Sequence, residues 1–253
     1  MDLNKKIKLK NFPLNLIVLI ASLIVILLTT SFVVAEQTGP DSINITGNET
    51  KLALPGVEVN ISGGYISSLN ITASIQNPRW KAFVGWVFGL FTLDNSNGST
   101  IYDWQLATIS GNVYATRNDT LVQWDQIKCA NSDILESENI ILNHSNPNDN
   151  LTATFSGNTH DDFYVGTTHI LSDSCPSLYT YINDTSQNES FQEVVLFDGV
   201  DYLSPGNLIY TTILEDSIEG YDGNKYDFQM IVPERGNSDW EGATAYYLYI
   251  ELV

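Results

Sequence analysis

Short alternating segments separated by turn residues dominate the sequence after Pro55, and this pattern restricts the fold more than any other feature. Apolar and polar residues alternate in Val57–Ile61 and between Tyr65 and Gln76, as they do in half-buried strands. Further strands are predicted over 100–107, 112–116, 121–124, 151–155, 163–171, 194–197, 208–214, 226–232 and 244–252. About ten to twelve short strands predict an all-β chain that forms an antiparallel β-sandwich, immunoglobulin-like or larger.

Two segments interrupt the simple alternation. Trp80–Leu93 is apolar on both faces, which predicts a central strand. Residues 129–142 change to apolar spacings of three and four, which predicts one short helix with Ser132 or Asp133 as its cap. We expect residues 56–253 to form one sandwich domain with this helix in an excursion between strands; two small sandwiches are the alternative.

The last strand is the cleanest of the series. Its alternation predicts an inward face and an outward face, with Tyr246, Leu248, Ile250 and Leu252 inward and Tyr247, Tyr249 and Glu251 outward. We expect it to pair within its own chain beside Tyr226–Val232, and donation to a neighbouring subunit is the alternative.

The N-terminus has the pattern of an exported chain. Four lysines, Lys5, Lys6, Lys8 and Lys10, precede an uncharged apolar run over 16–35. The run is predicted to be a hydrophobic helix. Its length fits either a signal peptide cleaved after Ala35 or a membrane anchor, because a spanning helix needs about 20 residues. In both cases residues 36–253 are predicted to lie outside the cell. Residues 36–55, rich in Thr, Asn, Gly and Pro, are predicted to be a linker or stalk.

Charge limits the classes of partner. The chain carries 11 basic and 30 acidic residues, a net charge of −19. Without the first 35 residues, 29 acidic and 7 basic residues remain. Nucleic acid and anionic membrane surfaces are poor partners for such a surface, because their phosphates require clustered cations.

Ten Asn-X-Ser/Thr sequons support an exterior location, because N-glycosylation occurs on surfaces that face the outside or a lumen. These are Asn44, Asn48, Asn60, Asn70, Asn97, Asn118, Asn143, Asn150, Asn183 and Asn188. The sequence therefore predicts a glycosylated, exported or cell-surface protein.

Cys129 and Cys175 are the only cysteines. Outside the cell they are expected to form one disulfide that closes a loop of roughly 46 residues and contributes about 4 kcal/mol. Two free thiols and a catalytic Cys–His pair are the alternatives. With three His in the chain, neither a Cys₄ nor a Cys₂His₂ zinc site can be built.

An acidic stretch over 215–227 could bind calcium, which takes six to eight oxygen ligands. Its donors would be Glu215, Asp216, Glu219, Asp222, Asn224 and Asp227, although their spacing is not that of an EF-hand. The alternative is an ordinary acidic hairpin loop. No other cofactor is predicted.

Other chemistry has weaker support. His160, Asp161 and Asp162 with His169 could ligate a transition metal, or could pack as ordinary strand and turn residues. Asp103-Trp104 and Asp239-Trp240 are the places where a glycosidase carboxylate could lie beside a sugar-stacking ring. The sequence contains no nucleophile elbow, phosphate-binding loop or dinucleotide fingerprint, so no catalytic residue is assigned and the chain is not expected to be an enzyme.

Three blocks carry a resemblance. TIYDWQLATISGNVYAT, YDFQMIVPERG and AYYLYIEL resemble segments of uncharacterised exported archaeal proteins that have an N-terminal hydrophobic segment. The resemblance implies an archaeal envelope setting and carries no catalytic residue. Unlike archaeal type IV pilins, the chain has no basic-Gly processing site before the apolar run.

Three classes of function follow from these features. The first is a structural or interaction protein of the cell envelope, in contact with other envelope proteins and, if the N-terminal segment is retained, with the membrane. The second is a module that binds glycans or surface partners through exposed aromatic residues. The third, an extracellular hydrolase, would require paired carboxylates in a cleft.

Overall fold

The computed structural model describes residues 36–118, 121–199, 207–235 and 242–253. The hydrophobic segment 16–35 and the Asp239-Trp240 pair lie outside these residues. Within them, no helix has the length and apolar character needed to cross a bilayer. The described chain consists mostly of strands in several antiparallel sheets with few helices, which confirms the all-β prediction.

Fourteen strands follow one another along the described chain. They are β1 (Trp80–Gly85), β2 (Leu90–Asp94), β3 (Thr100–Gln105), β4 (Gly111–Thr116), β5 (Lys128–Cys129), β6 (Phe163–Val165), β7 (Thr168–Ile170), β8 (Ser177–Tyr179), β9 (Gln192–Phe197), β10 (Leu208–Ile213), β11 (Ile218–Glu219), β12 (Lys225–Tyr226), β13 (Phe228–Pro233) and β14 (Tyr247–Leu252). The helices are α1 (Ser132–Leu142) and α2 (Leu151–Thr154), with a 3₁₀ turn at Trp124–Gln126.

A six-stranded antiparallel sheet forms the centre of the fold. Its order is β14-β4-β10-β9-β5, and β8 pairs with β9 beside β5. Four two-stranded ladders surround it: β1 with β13, β2 with β3, β6 with β7 and β11 with β12. All of these pairings are antiparallel, so the chain closes its sheets through turns and loops and not through parallel crossovers.

Both faces of the central sheet are covered, because successive side chains of one strand enter two separate hydrophobic clusters. On one face, Val195 and Tyr210 pack with α1 residue Leu135 and with Met230 of β13. On the opposite face, Val194 and Ile209 pack with the β6–β7 hairpin and with the segment around Val122 and Ile127. The central strands β4, β9 and β10 are therefore buried almost throughout.

The predicted helix is present as α1, but its cap differs from the prediction. The Asn131 side chain accepts a hydrogen bond from the Ile134 N–H at 3.0 Å, so the cap lies one residue before Ser132. The helix ends at Asn143, which adopts the left-handed conformation with φ 53°.

The strand prediction over 151–155 is wrong. This segment is the short helix α2, and the Asn150 side chain caps it by accepting from the Ala153 N–H at 2.8 Å. A side-chain acceptor placed three residues before an N–H satisfies a free donor of the first turn, which favours helix over strand. The predicted strand over 121–124 is also absent, because this segment runs into the 3₁₀ turn.

Two further strand predictions fail at the N-terminal side of the domain. Val57–Ile61 and Tyr65–Gln76 have no regular secondary structure and are exposed almost throughout. An alternating segment forms a strand only when a partner supplies hydrogen bonds and a surface for its apolar face. Within the described residues neither is provided for these segments.

Trp80–Leu93 is not a central strand. It is divided between β1, which pairs with β13, and β2, which pairs with β3, and the chain leaves regular structure at 86–89. Gly89 lies at this break, where an added Cβ would come within 2.2 Å of Leu252 Cδ1. The apolar character on both faces therefore reflects two different environments along one segment.

The C-terminal strand pairs within its own chain, but not with the predicted neighbour. β14 lies beside β4, with Ile250 opposite Val113, whereas β13 pairs with β1. Leu248, Ile250 and Leu252 pack on one hydrophobic cluster, as predicted. Glu251, predicted to face outward, is fully buried. The reason is that the second face of the sheet is covered as well.

Candidate functional site

The predicted disulfide is present. Cys129 and Cys175 are bonded, with their Cα atoms 4.9 Å apart. Cys129 lies in β5 and Cys175 lies just before β8, and both strands pair with the same edge of β9. The bond therefore joins the two ends of the excursion that contains α1, α2 and the β6–β7 hairpin.

The acidic stretch 215–227 forms the β11–β12 hairpin and its flanks, and several of its carboxylates already accept hydrogen bonds from the chain. Asp227 accepts from the backbone N–H groups of Val87 at 2.8 Å and Ser217 at 2.9 Å. Glu215 accepts from the Phe191 N–H at 3.0 Å, and burial raises the pKa of Glu215.

The remaining calcium candidates lie at the turn of this hairpin. Asp222 accepts hydrogen bonds from Asn224 and from the Tyr226 hydroxyl, and Glu219 is paired in register with Lys225. Among the described residues, no three His, Cys, Asp or Glu side chains form a group arranged to hold a metal ion. Calcium binding by this stretch stays a prediction from sequence.

The histidines of the second metal candidate have separate surroundings. His160 is buried and donates from Nδ1 to the Asp161 carbonyl at 2.7 Å. Its Nε2 accepts from the N–H groups of Ser174 at 3.1 Å and Cys175 at 3.0 Å. His169 instead lies 3.0 Å from Asp162 at the surface. His160 therefore supports the backbone beside the disulfide.

Buried carboxylates are placed at structural junctions. Glu138 of α1 forms a bidentate ion pair with Arg117, whose guanidinium nitrogens lie 2.5 and 2.7 Å from the two carboxylate oxygens. Asp198 accepts from the backbone and side chain of Asn207 at 3.1 and 2.6 Å. Such groups are stabilised by several hydrogen bonds at once, which is how a charge is tolerated away from water.

Glu251 joins three parts of the chain. Its Oε2 accepts from the Tyr114 hydroxyl at 2.5 Å and from Gln37 Nε2 at 2.6 Å, and its Oε1 accepts from the Gly166 N–H at 2.9 Å. Beside it, Thr38 and Ile250 exchange backbone hydrogen bonds at 3.0 and 2.8 Å. The residues directly after the predicted export segment are therefore attached to β14.

Glu193 of β9 is fully buried, and a hydrogen bond is found for one of its two carboxylate oxygens. Its Oε2 accepts from the Ile231 N–H at 2.8 Å, whereas its Oε1 has no hydrogen-bond partner among the residues that the structure describes. Burial raises the pKa of Glu193 well above its ordinary value, because desolvation disfavours the charged form.

We expect Glu193→Gln to stabilise the protein at alkaline pH by about 1–3 kcal/mol, the cost of a buried polar group without full pairing. The folded state holds the proton of Glu193 more tightly than the unfolded state. Wild-type stability should therefore fall as the pH rises from about 4.3, the ordinary Glu pKa, through the raised value. Urea unfolding at pH 4.5 and pH 8 measures this difference.

The matched control for Glu193 is the exposed Glu189. Glu189→Gln should leave the difference between the two pH values unchanged. If Glu193→Gln and the wild type show the same pH dependence, then Glu193 does not titrate in this range.

The hairpin formed by β2 and β3 carries exposed apolar side chains. Phe91 pairs with Trp104 and Leu93 pairs with Tyr102, so these four side chains share one face. Phe91 is 45% exposed and Trp104 is 49% exposed, and the rings of Tyr102 and Trp104 lie 5.0 Å apart. We call these four residues the hairpin face.

The hairpin is held in shape at its turn. The Asn95 side chain accepts from the N–H groups of Asn97 at 2.9 Å and Ser99 at 3.0 Å, and Gly98 has a φ of 75°. Turn geometry of this kind fixes strand register. The hairpin face is therefore a defined surface with a sequon, Asn97, at its tip.

The hydrolase candidate Asp103-Trp104 lies on this hairpin. Asp103 pairs with Thr92, which places it on the opposite face from Trp104. The two side chains therefore cannot contact the same ligand from one face of the hairpin. The second candidate pair, Asp239-Trp240, lies outside the described residues.

None of the ten sequon asparagines is buried. Eight are exposed, and Asn118 and Asn150 are partly exposed. The Asn150 side chain also caps α2, so its amide already has a structural role. Glycosylation itself is a prediction from sequence.

Comparison with known proteins gave no match: no family model, no curated protein and no solved structure is significantly similar to this chain.

The hairpin face was not identified from the sequence, although a signal for it exists. Residues 94–98 have the composition of a hairpin turn, and alternation on both sides of it places Phe91, Leu93, Tyr102 and Trp104 together. The prediction of one central strand over Trp80–Leu93 is incompatible with this exposed face.

Proposed function

We propose that this chain is an exported, glycosylated protein of the cell envelope with a structural or interaction role and no catalytic chemistry. The observation that carries the proposal is the hairpin face, four large apolar side chains held on a fixed hairpin and open to solvent. Contiguous exposed apolar surface on a water-soluble domain marks a place where another molecule binds.

Other features support an exterior location. The basic-then-apolar N-terminus, the disulfide and the accessible sequons are all expected of a domain that folds outside the cell. The strongly acidic surface suits a salty exterior and does not suit nucleic acid. In this proposal the N-terminal hydrophobic helix is either removed or serves as the membrane anchor, and the envelope is archaeal.

We also propose that the domain is a β-sandwich. The β1–β13 ladder would form the second layer on the central sheet, because Met230 and Val232 share a hydrophobic cluster with Val113 and Tyr210. Helix α1 packs into the same cluster through Ile134 and Leu135. The helix-bearing excursion would then lie beside the sandwich, tied by the disulfide.

The export proposal predicts that protease added to intact cells digests residues 36–253. Asn-linked glycans, if present, should be removed by an N-glycan-releasing treatment and should be lost at a given site when that Asn becomes Gln. Because Asn97 is exposed at a turn, Asn97→Gln should reduce the mass without changing the thermal midpoint. Protection of the chain together with a cytosolic marker would contradict export.

Glycan or partner binding through the hairpin face is the second candidate function. Exposed aromatic rings favour it, because they can stack on the apolar faces of sugars. Binding of envelope glycans that is lost in Trp104→Ala and retained in Thr92→Ala, on the opposite face, would support this module. An extracellular hydrolase has less support, because Asp103 and Trp104 face opposite sides.

A further inference from the structure

The segment 57–75 alternates apolar and polar residues on both sides of a turn at Gly63 and Gly64, where the Tyr65 N–H donates to the Ser62 carbonyl at 3.4 Å. Its odd-numbered positions are apolar through Val57, Val59, Ile61, Tyr65, Leu69, Ile71, Ala73 and Ile75, apart from Gly63 and Ser67. Its even-numbered positions are polar or glycine, with Ile66 as the one exception. Both sequons of the segment, Asn60 and Asn70, fall on the even-numbered side. A strand on either side of this turn would therefore present one apolar face and one face free for glycans.

Nothing in the described chain covers that apolar face. Ile71 is 84% exposed and Ile75 is 89% exposed, and the segment has no strand partner. The chain on each side of the segment is nevertheless attached to the domain. Thr38 bridges to Ile250 before it, and Arg79 forms an ion pair with Asp149 at 2.6 Å after it. The segment thus lies within a loop between two fixed points, and it forms no strand with any other described residue.

The hairpin face has the same property. It is also a period-two apolar face, it is also exposed, and among the described residues no third strand joins its two-stranded sheet. The described part of the chain therefore displays two apolar surfaces that none of its own residues covers. This combination is expected when each surface is covered by the other in an assembly.

We propose that the apolar face of segment 57–75 packs on the hairpin face of a second copy of this chain. The segment of the second copy packs in the same way on the hairpin face of the first. The inference rests on the interaction role proposed above and names its partner. A reciprocal contact closes as a two-fold dimer, because the same two surfaces are used by both copies. On binding, the segment gains the surface that its strand pattern requires.

Charge favours a second copy at these surfaces. Residues 36–253 carry a large negative excess, so two copies repel each other over most of their surface. Glu58 is the one charged residue between 52 and 76, and Asp94 and Asp103 are the charged residues between 86 and 105. The two surfaces are thus the places where copies can approach with the least repulsion.

The apolar area is also of the right size. Aromatic side chains bury about 150–250 Å² each, and the hairpin face has three of them at about half exposure. With the apolar residues of the segment, two reciprocal contacts amount to an area on the order of 1,000 Å² or more, which is the range of specific interfaces.

The first experiment measures self-association of the full chain, purified as the producing cells deliver it, by mass photometry and light scattering over a concentration series. We expect a dimer for the wild type. Leu69→Thr combined with Ile71→Thr should weaken the dimer at least tenfold. The matched control is Ile66→Thr, a fully exposed apolar residue on the even-numbered side, which should leave the dissociation constant within threefold.

The second experiment separates exchange between copies from folding within one copy. The segment variant is mixed with a hairpin variant, Phe91→Ser with Trp104→Ser, and the two carry different mass tags. Each variant alone has lost one of the two complementary surfaces and should be monomeric. The mixture should form heterodimers, because an intact segment then meets an intact hairpin face.

Three outcomes would overturn the proposal. A monomeric wild type whose melting midpoint falls in the segment variant would show that the segment packs on its own hairpin. Association that none of the variants changes would place the interface elsewhere. A monomeric wild type whose segment variant melts unchanged would show that a second copy does not cover these surfaces. In every case digestion on intact cells tests export independently, so failure of the dimer leaves the envelope location standing.

Discussion

A chain that ends at Gly242 should fail to form a soluble, cooperatively unfolding domain. The truncation removes β14, which is the edge strand paired with β4. It also removes three apolar side chains of β14 that pack on the central hydrophobic cluster. Full burial of each aliphatic side chain contributes about 1.5–3 kcal/mol, and a domain has only about 5–15 kcal/mol in total. Soluble yield and a thermal melt followed by circular dichroism measure the effect. A product that melts cooperatively would show that β14 is dispensable.

A single substitution tests the same region without removing a strand. Glu251→Ala leaves the Tyr114 hydroxyl, the Gly166 N–H and Gln37 without their acceptor. Each buried donor without a partner costs about 1–3 kcal/mol, so we expect a total loss of about 3–5 kcal/mol. The control is deletion of the exposed Val253, which should cost about 1 kcal/mol or less.

Loss of the disulfide should have the second large effect. Replacement of Cys129 and Cys175 by Ser is expected to lower the free energy of unfolding by about 4 kcal/mol, because the open chain gains the entropy of a loop of 46 residues. Urea unfolding of the two proteins, with reductant absent, measures the difference.

Reduction of the wild type provides the internal control for the disulfide. Reduced wild type and the double Ser variant should unfold at the same urea concentration. Thiol labelling of the native, unreduced protein should add no mass, and labelling at two sites would refute the bond. Unchanged stability in the double variant would show that the contacts of α1 and His160 hold the excursion without it.

The sequence predicted four strands of the central sheet, β4, β9, β10 and β14, and missed the short strands β5 and β8. In the three central strands, local composition and environment agree. β4, β9 and β10 are rich in β-branched and aromatic residues and are buried on both faces, so no competing local signal existed. The helix α1 was predicted for a similar reason, since its apolar spacing matches the face that it buries. The disulfide followed from there being two cysteines.

The errors arose where a local pattern depends on a partner that the sequence does not specify. Alternation at the C-terminus correctly placed Leu248 and Ile250, but it could not show that the β6–β7 hairpin covers the other face and buries Glu251. The pairing of β14 was assigned to the strand nearest in sequence, whereas sheet order is decided by packing of distant segments. At Leu151, the cap supplied by Asn150 outweighed strand propensity.

The exposure of the hairpin face could not be predicted from the sequence for the same reason. Whether Phe91 and Trp104 are core residues or surface residues depends on what lies above the hairpin, and composition is the same in both cases. The ten sequons, in contrast, could be placed at non-buried positions because their polar surroundings mark loops and solvent-facing sides.

The attachment of Gln37 and Thr38 to β14 has a mechanical consequence. If the apolar run before Glu36 remains in a membrane, any pull along the chain reaches the sheet at Thr38 and Ile250 before it reaches residue 39. The tension would therefore act on the edge strand β14 and on the hydrogen bonds of the buried Glu251. Residues 39–76 would carry no tension as long as the Thr38–Ile250 hydrogen bonds are intact, and they would extend only after these hydrogen bonds break.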